Sequence, residues 1–130
     1  MLHQEVTGKI IRAFYTVYNT LGYGFLEKVY ENALAHELAK QGLEARQQVP
    51  VRVYYDGLSV GEYWADMVVE GCVIVELKAA ESLRPEHAAQ LVNYLKATEM
   101  EVGLLFNFGP KPEFTRKLFT NDRKGWMAKK

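Results

Sequence analysis

One cysteine, four prolines, no net charge and no long apolar run set the bounds of this 130-residue chain. Cys72 has no partner with which to close an internal disulfide, so a disulfide framework is excluded; a reducing, cytoplasmic setting is expected, with the thiol inert in the core. The stretch Met1-Leu-His-Gln-Glu5 lacks the basic-then-apolar layout of a secretory leader, and no apolar segment approaches the length of a membrane span. Sixteen basic residues balance sixteen acidic ones, which argues against a strongly electrostatic nucleic-acid binder. The balance is uneven along the chain. Residues 111–130 carry Lys111, Arg116, Lys117, Arg123, Lys124, Lys129 and Lys130 against Glu113 and Asp122, which leaves the remainder acidic. Such a segment can touch phosphate, although a solvated chain end is the commoner reading.

Nearly half of the residues are apolar and 12% are aromatic, enough to build a core, and no repeat or low-complexity tract breaks the chain. A single domain over residues 1–130 is expected. Val6, Ile10, Phe14, Val17 and Leu21 follow a helical spacing from about Gln4 to Thr20. After Leu21-Gly-Tyr-Gly24, a second helical stripe of Leu26, Val29, Ala33, Leu34 and Leu38 runs to Gln41-Gly42. Val49, Val51, Val53 and Tyr55 then alternate as a strand whose Pro50 favours an edge, and Asp56-Gly57 marks a hairpin turn. The return strand covers about Leu58 to Val69, and Glu70-Gly71 turns the chain into a third strand, Cys72 to Ala79. Arg84-Pro-Glu86 opens a crossover helix, and Val102 to Phe108 forms a strand expected to be parallel to the third. The order is αα-βββ-α-β, with a weakly specified segment around Phe114 to Phe119.

Charge within the third strand is the unusual feature. Glu76 and Lys78 lie two apart in an otherwise apolar run, so they share one face while Val73, Val75 and Leu77 share the other. Asp66 supplies a second carboxylate on the preceding strand. Two carboxylates suit Mg2+, which keeps waters for phosphate oxygens to replace, and a lysine adds charge where an oxyanion develops. A two-residue loop at Glu70-Gly71 would put Asp66 and Glu76 on opposite faces; a three-residue loop or a bulge, with Gly71 at positive φ, would bring them together. On the strands alone, a surface ion pair on an open sheet face fits Glu76 and Lys78 equally well.

Further residues tip that balance. Gly24-Phe-Leu-Glu27-Lys-Val-Tyr30, Gln48-Val-Pro50, Ala65-Asp66, Val75-Glu-Leu-Lys78, Gln90 with Asn93-Tyr94-Leu95, and Gly103 to Gly109 together make the chain resemble the GxxExxY family of the PD-(D/E)XK nuclease superfamily. The likeness runs from about residue 5 to 109. It implies an α/β (α+β) fold with a restriction-endonuclease-like core, a mixed central sheet flanked by helices. It also implies a metal-dependent nuclease acting on DNA or RNA with Mg2+, or Mn2+ in its place. Carried over, the catalytic set is Glu27, Asp66, Glu76, Lys78 and Gln90, with Glu27, Asp66 and Glu76 holding metal and Tyr30 and Tyr94 in support. Ala65 stands where the motif has proline. A homodimer would help so small an enzyme cut two strands. The alternative is a non-catalytic module on the same fold that binds nucleic acid or protein.

Independent of the resemblance, Gly24, Glu27 and Tyr30 are three apart and are expected on one helix face, where Glu27 would also suit the helix dipole. Tyr30 is expected to pack, with its hydroxyl bonded to the site. Gln90 and Tyr94, at i and i+4, either reach towards Lys78 or a phosphate or form an ordinary helix-surface pair. His3, His36 and His87 have no zinc-ligand spacing. Tyr23, Tyr54, Tyr63 and Trp64 are assigned to the core rather than to base stacking.

Overall fold

The computed structural model describes residues 2–125. Helices α1 (Gln4–Leu21) and α2 (Glu27–Lys40) lead into strands β1 (Ala45–Tyr55), β2 (Leu58–Val69) and β3 (Val73–Lys78). Helix α3 (Pro85–Lys96) then crosses to β4 (Val102–Phe108) and β5 (Pro112–Leu118). The sheet order is β1-β2-β3-β4-β5, with β3 and β4 parallel and the other neighbours antiparallel. This is the expected mixed sheet flanked by helices, extended by one strand. The segment around Phe114, left unassigned from sequence, is β5. Its side chains are at most half-buried, so the period-two signal that identifies a strand is faint there. Prolines stand on both edge strands, Pro50 within β1 and Pro112 at the start of β5.

Alternation along the central strands divides the core in two. Val73, Val75 and Leu77 join Ile10, Phe14, Tyr30 and Leu34 beneath α1 and α2, whereas Ile74 and Leu105 join Leu91, Tyr94 and Leu95 beneath α3. Covered on both faces, β3 and β4 read as nearly continuous apolar runs. Phe14 stacks on Phe106 at 4.4 Å, and Tyr30 on Phe108 at 4.3 Å.

That second stack resets α2. Its buried face is Tyr30, Leu34 and Leu38, while Leu26 and Val29 of the expected stripe are 82% and 40% exposed. The helix begins at Glu27, so Gly24 lies in the preceding turn rather than on the helix face. Gly22 and Gly24 take φ of 68° and 112°, conformations open to glycine at little cost. The turn closes on Tyr30, whose hydroxyl donates to the Gly22 carbonyl at 2.8 Å and accepts the Phe25 N–H at 3.2 Å. Tyr30 therefore serves this turn, not the carboxylates.

Three other expectations change. Tyr23, in the turn between α1 and α2, is 62% exposed; Tyr63 and Trp64 are 50% and 53% exposed and Tyr54 is half-buried, because β3 pairs with β2 only over Met67–Val69 and the rest of the β1–β2 hairpin projects without a third strand. Lys124 of the basic segment is buried, donating to the carbonyls of Thr98 and Met100 at 2.9 and 2.8 Å, so it pins the chain and is withheld from phosphate. Lys129 and Lys130 lie outside the described residues. Cys72 is half-buried in a turn at the rim of the core rather than within it. No helix among the described residues is long and apolar enough to cross a membrane.

The chain beyond Lys78 is held by Asn107, its register partner on β4. The buried Asn107 amide accepts the Ala80 N–H at 2.9 Å and donates to the Ala80 carbonyl at 3.0 Å. Gly109 backs directly onto that carbonyl, and a side chain there has no room. Gly109→Ala is expected to lower stability by about 1–3 kcal/mol through overpacking, seen as a lower urea midpoint at unchanged slope.

Candidate functional site

The site begins with a turn. Glu70, Gly71 and Cys72 link β2 to β3, with Glu70 and Gly71 at φ of 53° and 64° and the Cys72 N–H donating to the Val69 carbonyl at 3.0 Å. The loop is odd, as the common-face condition requires. Pairing runs Val69 to Val73, Val68 to Ile74 and Met67 to Val75, so the next pair in register is Asp66 with Glu76.

At that step the ladder stops and side chains take over. The Asp66 N–H donates to Glu76 Oε2 at 2.7 Å, and the Leu77 N–H donates to Asp66 Oδ2 at 2.8 Å. Backbone donors orphaned by the parting strands are thus satisfied by the two carboxylates, which fixes both. One oxygen of each carboxylate lies outside these bonds.

A matching break lies on the other side of β2. Gln48 takes φ of 54° and drops from the β1–β2 pairing opposite Asp66, between Gln47–Met67 and Val49–Ala65. The side chains of Gln47 and Gln48 donate to Glu31 at 2.6 and 2.9 Å, and Lys28 Nζ donates to it at 3.0 Å. Glu31 is only 4% exposed and adds negative potential at Asp66, ahead of Glu27 in effect. It was not singled out from the sequence. The available signal was its place one turn after Glu27 and beside the buried Tyr30.

Glu27 opens α2 on the surface. Glu76 is 5% exposed, and burial, reinforced by the Asp66 carboxylate, pushes its pKa up to about 8. Burial also raises Asp66, partly offset by the Leu77 N–H, while Glu31 and Glu27 raise it further. Lys78, half-buried on the same strand face as Glu76, acts in the opposite sense on both acids and takes part in none of the ion pairs found among the described residues. A concentrated negative field thus faces one uncommitted ammonium.

On α3, Gln90 Nε2 donates to the Tyr94 hydroxyl at 3.1 Å. Tyr94 is buried rather than on the surface, and its hydroxyl is held above the usual phenol range by burial and by Glu76. His87 Nδ1 accepts the Arg84 N–H at 3.1 Å at the start of α3, which gives it a structural role.

Among the described residues, no three His, Cys, Asp or Glu side chains converge as a ready metal-binding group. The donor set is instead the Asp66–Glu76 pair, with Glu27 at the rim. A buried and a half-buried carboxylate that repel each other and keep free oxygens fit a hard divalent cation that keeps most of its waters.

A family model described as the PD-(D/E)XK nuclease superfamily matches residues 4–117. Among solved structures, the crystal structure of SSO0001 is similar, with a TM-score of 0.58 at 18% identity over 79% of this chain and 55% of that one. That is a likeness of fold, and the present chain spans about half the length of that protein. No curated protein matches the sequence.

Glu76 titrates near 8 in the folded protein against an ordinary value of 4.5. The folded state therefore keeps a proton that the unfolded state has lost, so metal-free stability falls as pH rises from about 4.5 to about 8. In EDTA, the melting temperature should drop across this window. Glu76→Gln should flatten the drop.

Proposed function

Because the chain belongs to the PD-(D/E)XK nuclease superfamily, we propose that it is a metal-dependent nuclease that hydrolyses phosphodiester bonds in DNA or RNA. The observation that carries this reading is the bonding of the Asp66 and Glu76 carboxylates to the backbone N–H groups of Leu77 and Asp66, which fixes them side by side, with Lys78 on the strand face of Glu76 and in no ion pair found among the described residues. Such a pair is unfavourable unless positive charge arrives. The finer placement in the GxxExxY group rests on Gly24, Glu27 and Tyr30.

Asp66 and Glu76 would hold the cation, Mg2+ or Mn2+, through their unbonded oxygens, with Glu27 joining from the rim. An ion so held supplies a water acidic enough to attack phosphorus and positive charge for the phosphate oxygens. Lys78 contributes charge to the oxyanion that develops, from a strand end rather than a mobile loop. The backbone bonds to Asp66 and Glu76 keep their orientation, so little reorganisation accompanies the reaction. Gln90 and Tyr94 line the approach from α3. A cytoplasmic setting suits the lone free thiol, and a homodimer would let two such sites act on opposite strands.

Purified protein incubated with a panel of nucleic acids should cleave at least one in Mg2+ or Mn2+ and none in EDTA. Glu76→Ala and Lys78→Ala should each lower the rate by about a hundredfold or more. Equal cleavage by all three proteins would mark a contaminant and end the proposal. Metal-independent binding without turnover would instead favour a non-catalytic module.

A further inference from the structure

A groove of about 670 Å3 runs between the β1–β2 hairpin and α3. We propose that it seats an unpaired nucleobase next to the bond being cut, which makes the substrate single-stranded or locally unpaired nucleic acid rather than intact duplex. The inference rests on the nuclease reading and adds its substrate class.

The groove has the size of a small-ligand cleft, for which about 300–1,000 Å3 is usual. Tyr54 and Tyr63 enter it from the hairpin, and Gln90, Asn93 and Tyr94 from α3. The Tyr63 ring sits 5.8 Å from that of Tyr94, tilted by 42°, and is half exposed, so much of its face is open to a stacking partner. Asn93 is exposed and presents both a donor pair and an acceptor, the complement of a base edge. Aromatic faces with amides beside them are the chemistry by which proteins hold unstacked bases.

Position links the groove to the acids. Tyr94 packs in one cluster with Ala65, Ile74 and Leu105. Ala65 precedes Asp66, Ile74 shares a strand face with Glu76, and Leu105 is the register partner of Glu76. Through Ile74 and Leu105, a base in the groove therefore lies on the same side of the sheet as Glu76, whose carboxylate acts on the Tyr94 hydroxyl.

Charge and geometry together exclude a duplex as the preferred ligand. The groove wall carries Lys96 against Glu86, too little net positive charge to neutralise a run of phosphates. A paired base has its faces covered by neighbours and its edge by its partner, so only an unpaired one can enter.

Fluorescence anisotropy in EDTA, where cleavage is suppressed, separates binding from catalysis. The probes are labelled DNA and RNA single strands about a dozen nucleotides long and the same DNA as a perfect duplex. Single strand is expected to bind more tightly than duplex, and Tyr63→Ala to weaken single-strand binding by about tenfold or more, as loss of one base stack does. Tyr63→Phe, which keeps the ring, should retain binding. Wild-type binding by Tyr63→Ala, or duplex bound as tightly as single strand, would overturn the proposal. Metal-dependent cleavage indifferent to Tyr63→Ala would defeat the groove and leave the nuclease standing. Ring-dependent binding with no cleavage by the wild type in any metal would do the reverse.

Discussion

Two hydrogen bonds between side chain and backbone, Asp66 N–H to Glu76 and Leu77 N–H to Asp66, hold the place where β2 and β3 part. Divergence of strands normally leaves donors unsatisfied at a cost of about 1–3 kcal/mol each when buried. Here the groups that satisfy them are the same acids that the nuclease reading requires. Fold and site are thus interdependent: the sheet can open only because carboxylates stand at the fork, and the carboxylates are oriented only because the sheet opens.

The fork also organises its surroundings. Because β2 leaves β3 after Met67, the hairpin beyond it is free to arch over α3 and form the groove. Because Gln48 leaves the ladder at the same level, its side chain and that of Gln47 turn towards Glu31 and tie α2 to the edge strand. Burial of Glu31 near Asp66 deepens the negative field, which the Leu77 N–H and Lys78 offset at Asp66. On the proposed reading, this field is what a bound cation would neutralise.

Much of this was legible in the sequence because local signals agreed with the global fold. Pro85 at the start of α3, Asp56-Gly57 at the hairpin and the apolar run of β3 each have a physical meaning that tertiary contacts did not override. The odd turn at Glu70–Cys72 followed from requiring two carboxylates on one face. What was illegible depended on contacts between distant segments. Tyr30 rather than Val29 faces inward because Phe108 offers it a stacking surface 78 residues later, and no helical period contains that information. The hairpin aromatics looked like core because a strand pattern does not reveal how far its neighbour extends. Glu31 was not singled out because its partners, Gln47 and Gln48, become donors only through the kink at Gln48.

The prolines on both outer strands bear on how copies of the molecule can meet. An open sheet edge offers unpaired donors and acceptors to any similar edge, and proline removes a donor from that row. With Pro50 on one margin and Pro112 on the other, continuation of the sheet from molecule to molecule is discouraged at both ends. A strand approaching from another copy would thus find a donor missing at either margin, so the sheet stays five strands wide.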